Sequence, residues 1–133
     1  MSDGSKPPVA VADEEALHRL VQSGQSRGEK PHYIAFYSST EPFRISVDRS
    51  GYRTLEDSLA QSPKCGAAVL GAGPVRAIAL EPHLVVERVP ENGNDAHGEI
   101  VVPQTFSKNA VKTKVCAKLA DISTMIREPP PKV

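Results

Sequence analysis

Tryptophan is absent from this chain and aromatic residues make up only 5% of it, so its core must be built mainly from Val, Ala, Leu and Ile. Net charge is absent too: sixteen basic residues balance sixteen acidic ones. That balance removes the global field that would draw nucleic acid or an anionic membrane to the surface. No apolar run approaches the roughly 20 residues that span a bilayer, and MSDGSKPPV lacks the apolar segment of a secretion signal. The expectation is a cytoplasmic protein that does not engage membranes and carries no strong nucleic-acid signal. Only two cysteines occur, Cys65 and Cys116, too few and too widely spaced for a disulfide framework or a metal knuckle. The four histidines, His18, His32, His83 and His97, form neither HxxxH nor HExxH, so no metal site is expected.

What is present fits one domain, since 133 residues lie within the usual single-domain range of roughly 100 to 150. Residues 1–10 are small, polar and Pro-containing and read as a flexible tail; residues 129–133, PPPKV, read as a second one. The body between them, residues 11–128, is expected to fold as a single α+β unit. Ala16, Leu17, Leu20 and Val21 recur at helical spacing behind Asp13, Glu14 and Glu15, which predicts a short amphipathic helix over 13–22. HYIAFY at 32–37 is aromatic and β-prone and reads as a buried strand. Phe43, Ile45 and Val47 alternate with Arg44 and Ser46, which predicts a strand with one wet face. Thr54 stands three residues before Asp57, a variant of the capping box that would open a two-turn helix closed by Pro63.

Apolar runs at 67–70, 75–80, 84–89 and 99–102, broken by Gly and Pro, predict further strands. Val111, Val115, Leu119, Ile122 and Ile126 then recur every three or four residues, with Lys108, Lys112, Lys114 and Lys118 largely between them. This is the strongest helix pattern in the chain, and its lysines read as a solvated face. The fold expected is therefore a mainly antiparallel sheet of five or six short strands with a longer C-terminal helix.

Two stretches invite a functional reading. AAVLGAGPVRA resembles the opening of a dinucleotide-binding βαβ unit, with Gly71 and Gly73 in register but Arg76 where the third glycine belongs. A tight Gly-Pro turn joining antiparallel strands is the simpler reading, because one glycine motif is weak evidence. The second stretch is VVERVPENGNDAHGEIVV at 85–102, where two apolar runs flank a polar loop containing Asn92-Gly93. It predicts a hairpin whose second strand opens on Glu99, alone among apolar neighbours.

EIVVPQTF, with an acid followed by aliphatics and proline at the end of a loop, resembles the catalytic strand of bacterial toxin-type mono-ADP-ribosyltransferases. Upstream, FYSSTEPFRISVDRSGYR is similar to the family's first strand and its run to a Gly-aromatic step, with Tyr37, Gly51 and Tyr52 in the corresponding positions. The resemblance implies an enzyme acting on nicotinamide adenine dinucleotide (NAD), either an ADP-ribosyltransferase or an NAD glycohydrolase. Glycosidic cleavage passes through an oxocarbenium-like state whose positive charge a carboxylate stabilises. Glu99 would be that carboxylate, and His97, Asn94 or Asp95 would meet the acceptor. The family also implies an Arg or His on the first strand to hold the dinucleotide, and a serine-centred motif on a middle strand. Ser38 follows Tyr37 here, so His32 or Arg44, with Tyr37, would have to hold NAD. The alternative is a non-catalytic domain that binds a protein partner through its sheet or its amphipathic C-terminal helix. The enzyme requires Glu99 to face His32 or Arg44; the binding module requires an exposed apolar patch instead.

Overall fold

The computed structural model describes residues 10–37, 44–90 and 95–130. Outside them lie residues 1–9 of the expected N-terminal tail, Ser38, Ser39, Thr40 and Phe43, the Asn92-Gly93 turn with Asn94, and residues 131–133 of the proline-rich end.

The chain is α+β, with six strands in one antiparallel sheet and the longest helix near the C-terminus. Strand β1 (Ala16–Val21) is followed by the small hairpin of β2 (Ser26–Arg27) and β3 (Lys30–Pro31), then by a 3-10 turn, Tyr33–Phe36. Next come β4 (Arg44–Arg49), helix α1 (Leu55–Gln61), β5 (Gly66–Gly71), helix α2 (Ala72–Ala77), β6 (Val85–Arg88) and β7 (His97–Val101). Helix α3 covers 108–121, and β8 (Thr124–Arg127) closes the sheet. The strand order is β6-β7-β4-β1-β5-β8.

Strand alternation divides the side chains between two faces. Leu17, Val21, Ile45, Val47, Leu70 and Ile100 point to the inner face, where Val111, Val115 and Leu119 of α3 cover them together with Phe36. His18, Ser46, Asp48 and Glu99, each one residue out of phase with that set, belong to the outer face. Helix α1 lies over β1 and β5 on this side. Thr54 caps α1 as its spacing predicts, its hydroxyl accepting from the Asp57 amide at 3.1 Å.

Four expected elements take a different form. Residues 16–21 are a central strand, not a helix: the apolar positions suit either period, and antiparallel pairing with β5 along all six residues decides for the strand. HYIAFY is not a strand but the 3-10 turn, and its adjacent buried residues Ala35 and Phe36 suit a turn better than alternation. The 75–80 run is not a strand and the Gly-Pro segment does not join two antiparallel strands. Gly71 instead ends β5 and stands at the N-cap of α2. Pro74 falls in the first turn, where its missing amide has no intrahelical partner to lose.

The C-terminal helix stops at Asp121 rather than running through Ile126. Lys30 Nζ donates to the Asp121 and Ser123 carbonyls at 2.8 and 2.9 Å, satisfying acceptors that the ending helix leaves over. The chain then turns into β8, leaving Ile126 exposed. Within α3, Val111–Cys116 winds as a π-helix. The wider turn buries Cys116 along with Val111 and Val115.

Candidate functional site

The hairpin of β6 and β7 sets Glu87 directly opposite Glu99, and like charges in that register repel. Arg44, at the start of the next strand, removes the conflict by reaching both carboxylates. Its Nη2 lies 2.8 Å from Glu87 Oε1, and its Nε donates to Glu99 Oε1. His97, two residues before Glu99 on the same face of β7, brings Nε2 to 3.1 Å from Glu99 Oε2. The Glu99 side chain is 15% exposed. Burial pushes its carboxyl upward, but the hydrogen bonds from Arg44 and His97, with their charges, outweigh this and hold it below the usual carboxylate value. Glu99 is therefore an anion at neutral pH, fixed on both oxygens. A carboxylate has about four lone-pair sites, so an incoming hydroxyl could still donate to it.

A groove opens beside this cluster on the same sheet. Pairing of β1 with β4 is confined to Leu17 with Arg49 and His18 with Asp48. Past His18 the strands part, and the Arg19 guanidinium spans the gap: Nη1 donates to the Ser46 carbonyl and Nε to the Ala35 carbonyl, both at 2.8 Å. The parting leaves a groove of about 90 Å³ lined by His18, Arg19, Leu20, Ser46, Val47 and Asp48. His18 Nδ1 is buried there with no hydrogen-bond partner among the described residues. Burial lowers the His18 pKa, and the opposing charges of Asp48 and Glu56 do not restore it, so the ring is neutral at pH 7. Asp48 accepts a 2.6 Å hydrogen bond from Ser58 of α1 and lies 3.9 Å from Arg53.

Register relates groove and cluster. Ser46 pairs with Glu99, and Asp48 pairs with both His97 and His18. His18 is thus two strands and two residues from Glu99, roughly 12 Å at the usual strand spacing and rise.

Of the residues singled out in the sequence, Glu99, His97 and Arg44 come together. His32 and Tyr37 do not join them. His32 caps the 3-10 turn, accepting from the Ile34 amide at 3.2 Å, and Tyr37 packs against the core on the α3 side. Asp95 is exposed in the turn before β7. The Gly71 to Gly73 segment offers no phosphate cradle, because the Ala72 and Gly73 amides already donate to Glu15 O and Asp13 O at 3.0 and 2.9 Å. Arg76 is bound to Asp13, 2.7 Å away.

His18, Ser46 and Asp48 are site residues that the sequence reading missed. ALHRLV read with period two would have put His18 on a polar face; read as a helix, it hid that histidine. Cys116 is buried and its thiol is pushed up to about 12 by burial, so it is no thiolate nucleophile. Among the described residues no group of three His, Cys, Asp or Glu could hold a metal ion, and no helix is long and apolar enough to cross a membrane. Comparison with known proteins finds no matching family model, no matching curated protein and no matching solved structure.

Proposed function

We propose that the chain is an ADP-ribosyltransferase-like domain that binds NAD across the outer face of its sheet, with Glu99 as the catalytic carboxylate. One observation carries this reading: three adjacent strands bring His18, Ser46 and Glu99 to one face beside the groove where β1 and β4 part. The sequence resemblance asks for a histidine or arginine on the first strand, a serine on a middle strand and a glutamate on a later one. Since β1 is the first strand of the sheet, we assign to His18 the role that the sequence reading gave to His32 or Arg44. His18, being neutral, contributes hydrogen bonding.

In the reaction the bond between nicotinamide and ribose C1′ breaks and nicotinamide leaves with the electron pair. Glu99 stabilises the positive charge that develops on the ribose, and an acceptor hydroxyl, amine or water then adds to C1′ and loses its proton. Arg44 and His97 hold the carboxylate in place, and His97 lies where an acceptor would approach. The test is a calorimetric titration with NAD, followed by measurement of free nicotinamide. Saturable binding with release is expected, and Glu99→Gln should reduce release by about 100-fold or more while leaving binding largely intact. Retained turnover in that variant would reject the catalytic role of Glu99.

A second reading, a non-catalytic domain that binds a protein partner, is favoured by the size of the groove. At about 90 Å³ it falls well below the usual range of small-molecule pockets, roughly 300 to 1,000 Å³. No heat and no nicotinamide at millimolar NAD would leave this as the working reading.

A further inference from the structure

We propose that the solvent face of α3 docks an acidic segment of a partner protein, an interaction separate from the nucleotide chemistry of the opposite sheet face. The observation is an unequal use of basic residues. Arg44, Arg49, Arg53, Arg76 and Arg127 are each in an ion pair with a carboxylate of this chain. Lys108, Lys112, Lys114 and Lys118 are all exposed, and among the described residues none of them pairs with a carboxylate. Lys112 Nζ lies 5.8 Å from the centre of the Tyr37 ring. The sole acid between residues 108 and 121 is Asp121, at the end. A chain with no net charge thus concentrates four unneutralised cations within eleven residues of one helix.

The 3-10 turn extends this surface. It packs against α3, and Ile34 on it is 42% exposed, one of the large apolar side chains left in water. A surface of lysines bordered by an exposed aliphatic suits an extended segment with several acidic residues and an apolar one. About five residues of such a segment, at roughly 3.3 Å each, would run along the exposed side of the helix from Lys108 to Lys118. Nucleic acid fits less well. Five of the guanidinium forks that could bind phosphate bidentately are here consumed in internal pairs, and the zero net charge supplies no long-range attraction for a polyanion.

The test is fluorescence anisotropy with a labelled peptide of about twelve residues, rich in Glu with one central Leu, at ~0.15 M salt and without NAD. Saturable binding is expected, weakened about tenfold by combining Lys112→Gln, Lys114→Gln and Lys118→Gln. Gln matches Lys in helix propensity, so circular dichroism should be unchanged. Lys64→Gln, exposed between α1 and β5, should bind as the parent does. Undiminished binding by the triple variant would overturn the proposal. So would tighter binding of single-stranded DNA or of phosphatidylserine vesicles than of the peptide. Because NAD is absent, neither result depends on the outcome of the nucleotide titration.

Discussion

Arg49 heads the fully buried side chains by size, although its place in β4 points it to the apolar side of the sheet. Its charge is met by both oxygens of Glu15, at 2.7 and 2.8 Å, and its guanidinium carbon lies 4.5 Å from the Tyr52 ring centre. Deleting one member of a buried pair strands the other, so Arg49→Met should cost about 3 kcal/mol, read as a fall in the urea midpoint. Arg127 offers the control. Its pair with Glu56 is 52% and 72% exposed, and Arg127→Ala should change stability by no more than ~0.5 kcal/mol. Similar losses in the two variants would contradict the assignment of Arg49 as a buried anchor. Nothing in the sequence distinguishes these two arginines, because the difference is made by Glu15, a residue that local pattern assigns to a helix start. The same limit applies to the site. Glu99 was legible because it stands alone among aliphatics, whereas Arg44 became its partner only through strand register.

Elements whose identity is set by local pattern were legible, and those set by pairing partners were not. β4, α1, β5 and the hairpin of β6 and β7 have alternation, a cap or turn residues of their own. β1 and the 3-10 turn do not, and tertiary contacts decide them. The end of α3 was missed because Ile122 and Ile126 continue the helical spacing, while the competing sheet position beside β5 cannot be seen from sequence. That position depends on Gly66. A Cβ there would overlap the Arg127 carbonyl oxygen and crowd Glu128 and Pro129, backbone that cannot yield as a flexible side chain can. Gly66→Ala should therefore push β8 off the sheet edge, at a cost of about 2 kcal/mol. Amide exchange checks it: protection across Thr124–Arg127 should fall while that of β7 is retained. Unchanged protection of β8 would mean the edge strand does not depend on this close approach.

At the scale of the whole molecule, the two faces of the sheet divide the work. The inner face holds the core under α3, and the outer face carries His18 and Glu99, whose protonation is altered by folding. That division gives stability a definite dependence on pH. Burial depresses the His18 pKa below 6.5, so the unfolded chain takes up this proton more readily. Its contribution is fully present above about 6.5 and is lost as pH falls toward the lower folded value. The Glu99 pKa is also depressed, through Arg44 and His97 acting against burial. Its contribution is present above about 4.5 and disappears as pH falls through the folded pKa. Urea midpoints measured from pH 8 to pH 3 should thus decline first below about 6.5 and more steeply below about 4.5. His18→Gln should flatten the first decline and leave the second, while Glu99→Gln should flatten the second and leave the first. The two groups sit in different rows of one sheet face, so their effects should add to within about 0.5 kcal/mol in the double variant. A first decline that survives His18→Gln unchanged would remove the buried, neutral His18 from the account, and with it the residue on which the groove's reading as a nucleotide site depends.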